Sequence, residues 1–97
     1  MIGVFVSFQY PDALDRAIVE KIAHEARATF EGMPDLRYKY FTYDEQARRA
    51  TNFYVWESEN AARAFFSDAL RERVTGLYGV APSIEFVEIA EIVDNSR

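Results

Sequence analysis

The sequence predicts one α+β domain, covering residues 1–97, with the element order β-α-β-β-α-β and a four-stranded antiparallel sheet. Three observations predict this class. Four segments have the alternation or the aromatic richness of strands, two have apolar residues at helical spacing, and Gly, Pro and Asp residues separate them. A length of 97 residues fits one domain, and 49% apolar with 28% charged residues is a globular composition.

The chain begins with an alternating strand and continues into an amphipathic helix. One face of the strand carries Ile2, Val4, Val6, Phe8 and Tyr10, and the other carries Gly3, Phe5, Ser7 and Gln9. Pro11 ends the strand, and Asp12 is the predicted N-cap of a helix over residues 13–30. The apolar stripe of this helix is centred near Ile22, and Gly32 ends it.

The remaining segments predict a hairpin, a second helix and a last strand. Residues 36–43 and 49–57 are rich in β-favouring aromatic residues and flank a polar loop, which is typical of an antiparallel hairpin. Ser58 is the predicted N-cap of the second helix, and Gly76 is its predicted C′ residue. Residues 84–93 complete the order, which is that of the ferredoxin-like fold.

The last strand predicts an association between copies. Ile84 and Phe86 lie on one side of it, whereas Val87 and Ile89 lie on the other. Two helices cover only one face of a four-stranded sheet, so the second apolar face needs a further partner. We therefore expect a homodimer.

The hairpin carries most of the candidate functional residues. Pairing of Tyr43 with Arg48 sets the predicted register, and Lys39 then lies opposite Asn52. Polar and aromatic side chains that share one face are typical of a small-molecule pocket. The candidate catalytic residues are Lys39, Asn52, Tyr54 and Trp56, and the candidate substrate-binding residues are Ser7, Gln9, Phe41 and Phe65. The alternative is that Lys39 lies along the sheet rim with its amine in water.

Two acid–base side chains of the first helix lie near the predicted pocket. His24 is about 200° from Ile22 on the helical wheel and is therefore predicted to face solvent. Glu25 is about 60° from Ile22, at the edge of the pocket. We interpret Glu25 as one partner of a surface ion pair.

Composition excludes several function classes. Eleven Lys and Arg against sixteen Asp and Glu give a net charge of −5, which argues against general binding to nucleic acid or anionic membranes. The chain has no Cys and one His, so no metal site is predicted. No apolar run approaches the ~18 residues of a membrane helix. The N-terminal strand lacks the basic start of a signal peptide, so we expect a soluble, cytoplasmic protein.

RNA-recognition domains share this element order and are the nucleic-acid alternative. Their third strand has the pattern K/R-G-F/Y-G/A-F-V-x-F/Y. The chain matches it at Arg49, Phe53 and Trp56 but has Thr51 in the position of the first stacking ring. Together with the negative charge, this difference disfavours RNA binding.

Three segments carry a family resemblance. In order and spacing, residues 33–41 (MPDLRYKYF), 53–58 (FYVWES) and 78–80 (YGV) resemble the YdhR-type monooxygenases of the wider antibiotic-biosynthesis-monooxygenase group. The resemblance covers nearly the whole chain. It implies a dimeric α+β barrel, in which the sheets of two copies pack face to face with the helices outside.

The resemblance also implies an activity. Related monooxygenases oxygenate electron-rich polyphenols without metal, flavin or haem, in a pocket between sheet and helices with a strand-borne Trp. Trp56 holds the matching position, and Asn52 and Tyr54 share its face. No substrate is established for the YdhR type, so none transfers. Haem-degrading relatives use a His on a later helix, which this chain lacks.

We therefore expect a cofactor-independent monooxygenase acting on a small aromatic ligand. Lys39 is expected to stabilise a phenolate by its charge, while Asn52 and Tyr54 hydrogen-bond its oxygens. Trp56 and Phe41 are expected to stack on the ring. Two alternatives share the fold: a non-catalytic small-molecule-binding or stress-response module, and an isomerase.

Overall fold

A computed structural model describes residues 1–96 and confirms the predicted α+β, ferredoxin-like class. Its elements are β1 (Ile2–Gln9), α1 (Arg16–Phe30), β2 (Leu36–Asp44), β3 (Arg49–Trp56), α2 (Glu59–Phe65), α3 (Asp68–Tyr78) and β4 (Ser83–Glu88). The four strands form one sheet in the order β2-β3-β1-β4, and every neighbouring pair is antiparallel. No helix in this part of the chain is long and apolar enough to cross a membrane.

The first helix begins later than predicted. Asp15, rather than Asp12, is its N-cap, because the Asp15 carboxylate accepts hydrogen bonds from the backbone N–H groups of Ala17 and Ile18 at 3.0 and 3.4 Å. The helix buries Val19 and Ile22 against the sheet. The predicted centre of its apolar face is therefore confirmed.

The predicted second helix is two helices. Ser58 caps α2 as predicted, but the chain leaves helical geometry at Phe66, and Ser67 caps α3 by accepting from the backbone N–H of Leu70 at 3.2 Å. Gly76 lies inside α3, so its predicted role as the C′ residue is wrong. Gly79 takes that role with a φ of 84°, a left-handed conformation that glycine adopts without steric cost.

The hairpin register differs from the prediction by two residues. Lys39 pairs with Tyr54 and Phe41 pairs with Asn52, with an irregularity between Leu36 and Tyr38. Side chains alternate with a period of two along a strand, so an even shift leaves residues 38–44 on their predicted face. The irregularity turns Leu36 to the face of Trp56, which is not its predicted face. The candidate hairpin residues therefore still share one face of the sheet.

The core lies between this face of the sheet and the helices. It consists of Ile2, Val4, Val6, Phe8, Leu14, Val19, Ile22, Ala50, Tyr54, Trp56, Ala62, Phe66 and Tyr78. None of the helices within residues 1–96 packs on the opposite face, here called the helix-free face. Phe5 and Tyr40 belong to it and are 37% and 54% exposed.

The last strand is shorter than predicted and ends at Glu88 instead of residue 93. Glu88 pairs with Ile2, and the Ile89 N–H donates to the carbonyl of Met1 at 3.3 Å. The neighbouring strand therefore offers no further partner for the residues that follow. The Tyr38 hydroxyl donates to the Asp94 carboxylate at 3.3 Å, which holds the following segment against the helix-free face.

Candidate functional site

A cavity of about 250 Å³ lies between the sheet and the helices, here called the helix–sheet cavity. It is lined by Lys39 and Phe41 from β2, Asn52 and Tyr54 from β3, Ile22, Glu25, Ala26, Thr29 and Phe30 from α1, and Leu70, Arg73, Val74, Leu77 and Tyr78 from α3. Most of its wall is apolar, and a few polar groups converge on it. This composition is typical of small-molecule sites.

The Lys39 amine lies in a cage of aromatic rings. Its Nζ atom is 3.5 Å from the ring centroid of Phe30, 4.3 Å from that of Phe41 and 4.2 Å from that of Tyr54. It also donates a 2.7 Å hydrogen bond to Tyr54 Oη. Because Lys39 and Tyr54 are directly paired on adjacent strands, the sheet register itself creates this contact.

Burial sets the charge state of this pair. Desolvation lowers the pKa of Lys39 to about 7, and none of the ion pairs among residues 1–96 includes its amine. The three ring faces stabilise the ammonium form and so oppose the effect of desolvation. Burial also raises the pKa of Tyr54, which keeps its phenol protonated at neutral pH. The site therefore has an amine close to its titration point beside a neutral phenol.

Asn52 and Tyr78 provide the second polar group of the cavity. They are 4% and 6% exposed, and Asn52 Nδ2 donates to Tyr78 Oη at 3.1 Å. The Tyr78 ring stacks on Phe8 with 3.8 Å between centroids. Burial raises the pKa of Tyr78, and the hydrogen bond from Asn52 acts in the opposite direction. The Asn52 carbonyl and the Tyr78 hydroxyl proton can therefore serve a ligand.

Trp56 and Phe65 do not line the cavity and form its support. Their ring centroids are 5.0 Å apart, and they lie 6.1 Å and 5.9 Å from the ring of Tyr54. Trp56 is 2% exposed, and its Nε1 donor has no hydrogen-bond partner among the described residues. These two aromatic residues pack directly against Tyr54 and thereby fix the position of its ring.

The predicted placement of Ser7 and Gln9 in this pocket is wrong. Ser7 pairs with Thr51, and their hydroxyl oxygens are 3.2 Å apart on the helix-free face. Gln9 Nε2 donates to the carbonyl of Ala47 at 2.8 Å, which ties it to the hairpin turn. The even-numbered residues of β1 face the helices, so the odd-numbered ones face away from the cavity.

Several cavity residues were not predicted as site residues. Phe30 completes the cage around Lys39, and its position on the apolar stripe of α1 was the available signal. Tyr78 and Arg73 come from α3, whose path across the cavity depends on the break after α2. Glu25 lines the cavity edge and also lies 4.0 Å from the Lys21 amine, so its predicted ion pair is confirmed.

A second, larger depression adjoins the cavity. This groove has a volume of about 640 Å³, lies between α1 and β2, and includes His24, which is exposed as predicted. It shares Phe30, Lys39 and Phe41 with the helix–sheet cavity. The aromatic cage therefore stands between two spaces, and Lys39 borders both. Within residues 1–96, no three His, Asp or Glu side chains are grouped to hold a metal ion.

The fold is shared with solved monooxygenase structures. A monooxygenase from the gene ActVA-Orf6 of Streptomyces coelicolor, in complex with Nanaomycin D, has a TM-score of 0.68 and 21% identity, over 98% of this chain and 92% of that one. SnoaB, a cofactor-independent oxygenase from Streptomyces nogalater, has a TM-score of 0.66 and 14% identity, over 95% of each chain. A protein from Deinococcus radiodurans assigned to antibiotic biosynthesis monooxygenases has a TM-score of 0.65 and 11% identity, over 100% of each chain.

These similarities define the fold. The chain has the architecture of the antibiotic-biosynthesis monooxygenases, and at 11–21% identity the likeness is one of fold. The chain matches no protein-family model and no curated protein. The YdhR type indicated by the sequence stays a prediction.

Proposed function

We propose that this protein is a cofactor-independent monooxygenase that oxidises a small polyphenolic substrate in the helix–sheet cavity. The observation that carries the proposal is the Lys39 amine, held 2.7 Å from Tyr54 Oη inside an aromatic cage that borders an apolar cavity. Solved structures with the same fold include a cofactor-independent oxygenase and a monooxygenase complexed with Nanaomycin D. An enzyme that ionises and holds a phenol requires both a basic amine and an apolar cavity.

The chemistry starts with the loss of a proton. The neutral Lys39 amine takes the proton of a phenol or anthrone, and the resulting ammonium stabilises the anion that it has formed. The anion transfers one electron to O₂, and the substrate radical and superoxide combine to form a carbon–oxygen bond. The peroxide is protonated and loses water, which leaves a carbonyl where an anthrone had its CH₂ group. One O₂ is consumed and one water is released.

The other candidate residues have supporting roles in this proposal. Asn52 and Tyr54 hydrogen-bond the substrate oxygens, and Phe41 packs against the ring. Trp56 and Phe65 act as positioning residues, because they pack behind Tyr54 rather than at the cavity wall. Replacement of Trp56 by Phe should therefore affect the turnover number more than substrate binding.

Oxygen uptake tests the proposal. Metal-stripped protein is mixed with a panel of anthrones, hydroquinones and naphthols, and Lys39→Met is compared with Lys21→Met. Lys21 is the matched control because it is 74% exposed. We expect saturable uptake by the wild type and by Lys21→Met, and a loss of about 100-fold in Lys39→Met. Unchanged uptake in Lys39→Met would remove Lys39 from the mechanism. No uptake across the panel, with ligands bound and recovered intact, would instead indicate a binding module.

We further propose that the helix-free face joins two copies of the chain. Tyr38, Tyr40 and Phe53 stack along it with 6.4 Å between successive ring centroids, and Phe5 packs on Phe53 at 4.6 Å. A continuous aromatic surface of this kind is costly to leave in water. Face-to-face packing of two identical sheets buries it in both copies.

A further inference from the structure

We propose that Lys39 is a nucleophilic amine that forms a Schiff base with aromatic aldehydes entering the helix–sheet cavity. This activity is separate from oxygenation. It requires no O₂, and it depends only on the surroundings of one side chain.

The first argument is the geometry around the nitrogen. Three aromatic rings surround Lys39 Nζ, one of them the phenol ring of Tyr54, and the farthest ring centroid is 4.3 Å away. None of the ion pairs of residues 1–96 includes this amine. A lysine in such an apolar pocket, without a carboxylate to hold its proton, is a general arrangement for amine nucleophiles.

The second argument is access. Lys39 borders both the cavity of about 250 Å³ and the groove of about 640 Å³. A planar ring that enters the cavity would lie against Phe30 and Phe41, with its carbonyl group directed at the amine. The cage therefore selects aromatic aldehydes over polar ones, because their rings replace water at the aromatic walls.

The charge state supports this reactivity. Burial lowers the pKa of Lys39 to about 7, so a far larger fraction of this amine is neutral at pH 7 than of an ordinary lysine, whose pKa is about 10.4. The other titratable groups bordering the two spaces are Glu25, Arg73, Tyr54 and Tyr78 at the cavity, and Glu20, His24, Arg27, Glu31, Arg37, Tyr38 and Tyr43 at the groove. Glu20 accepts a hydrogen bond from Tyr43 at 2.8 Å, and the Arg27 and Glu31 side chains pair with each other at 2.7 Å.

The reaction balances without an added oxidant. The Lys39 nitrogen attacks the carbonyl carbon, and the carbonyl oxygen takes a proton from that nitrogen to give a carbinolamine. Tyr54 Oη lies 2.7 Å from the nitrogen and keeps its proton at neutral pH, so it can donate to the departing oxygen. One water leaves and the imine forms. Tyr54 is recharged by the proton that the nitrogen releases.

Reductive trapping tests the proposal within a single sample. Lys21 and Lys39 are the only lysines in the sequence, so Lys21, which is 74% exposed, is an internal reference. The wild-type protein is incubated without O₂ at pH 7 with 4-hydroxybenzaldehyde and sodium cyanoborohydride, and peptide mapping quantifies each modified amine. We expect at least tenfold more adduct at Lys39 than at Lys21, with the N-terminal amine resolved as a separate peptide.

Three variants test which amine forms the adduct and whether Tyr54 assists it. Lys21→Arg should keep the dominant adduct, and Lys39→Met should lose it. Tyr54→Phe should slow adduct formation severalfold at Lys39 and leave Lys21 unchanged. Equal or greater labelling at Lys21 in the wild type would overturn the proposal. The anaerobic assay does not involve oxygenation, so its outcome is independent of the oxygen-uptake experiment.

Discussion

Asn52 on β3 donates a 3.1 Å hydrogen bond from Nδ2 to Oη of Tyr78 at the end of α3. This bond joins the middle of the sheet to the helix that closes the cavity, and both side chains are almost fully buried. In such surroundings, a donor left without its acceptor keeps its full cost of desolvation. The pair therefore stabilises the fold and shapes the site.

Replacement of Tyr78 by Phe tests this pair. We expect the free energy of unfolding to fall by about 1–3 kcal/mol, because the buried Asn52 amide loses its acceptor. Urea unfolding measures the change. Tyr43→Phe is the control, since Tyr43 is 40% exposed and water can replace its 2.8 Å hydrogen bond to Glu20; it should change stability by no more than about 0.5 kcal/mol. Equal effects of the two variants would mean that burial adds nothing to the contribution of the Asn52–Tyr78 bond.

Lys39 should make the stability of the folded protein increase with pH. Its pKa is about 7 in the folded protein and about 10.4 in an unfolded chain, so between pH 7 and 9 the unfolded state holds a proton that the folded state has lost. Stability of the wild type relative to Lys39→Met should therefore rise with pH across this window, by up to about 1.4 kcal/mol per pH unit. Urea unfolding at pH 6, 7, 8 and 9 gives this difference. The stability of Lys21→Met should change with pH as that of the wild type does. If the stabilities of the wild type and of Lys39→Met changed with pH in parallel, burial would not lower the pKa of the Lys39 amine.

Replacement by alanine should change the stability of the protein in opposite directions at Gly3 and at Gly76. A Cβ on Gly3 would lie 3.0 Å from Phe53 Cε1 and 3.0 Å from Val87 Cγ2, so Gly3→Ala should destabilise the protein by about 1–3 kcal/mol. A Cβ on Gly76 meets no atom within 4 Å, and Gly76 lies inside α3. Gly76→Ala should therefore stabilise by about 0.5–1 kcal/mol. Thermal unfolding compares both with the wild type, and a stabilising Gly3→Ala would contradict the close packing around Gly3.

The proposed association of two copies predicts a selective effect of charge. Tyr40→Glu places a carboxylate within the aromatic row of the helix-free face, between Tyr38 and Phe53, so it should convert a dimer into a monomer in sedimentation equilibrium. Ile18→Glu is the control, because Ile18 is similarly exposed at 56% but lies on α1, in the helical layer. This second variant should sediment like the wild type. A monomeric wild type, or a Tyr40→Glu variant that still dimerises, would argue against this interface.

The hairpin shows how much of the site the sequence pattern could predict. The predicted register is shifted by two residues, yet Lys39, Asn52 and Tyr54 still share a face because side chains alternate with a period of two. The predicted placement of Ser7 and Gln9 was wrong because it also depended on this alternation alone. The pattern gives the two faces of β1, but it does not tell which face turns towards the helices when apolar residues occupy both.

The sequence pattern predicted which segments are helical, but not where each helix begins and ends. Asp12 and Asp15 are both suitable caps, and only the turn after β1 selects Asp15. The break at Phe66 has a polar cap in Ser67, but apolar residues continue at helical spacing on both sides of it, so the pattern predicts one helix. Because the direction of α3 depends on that break, the local sequence pattern could not predict that Tyr78 contacts Asn52.

By itself, the sequence determined the fold class, the hairpin faces and the presence of a lysine among aromatic residues, because these depend on local periodicity and composition. Only the tertiary structure decided that Phe30 of α1 meets Lys39 of β2, and that Tyr78 meets Asn52. These contacts join residues distant along the chain. The altered pKa of Lys39 follows from them, since desolvation is a property of the assembled surroundings and not of the residue.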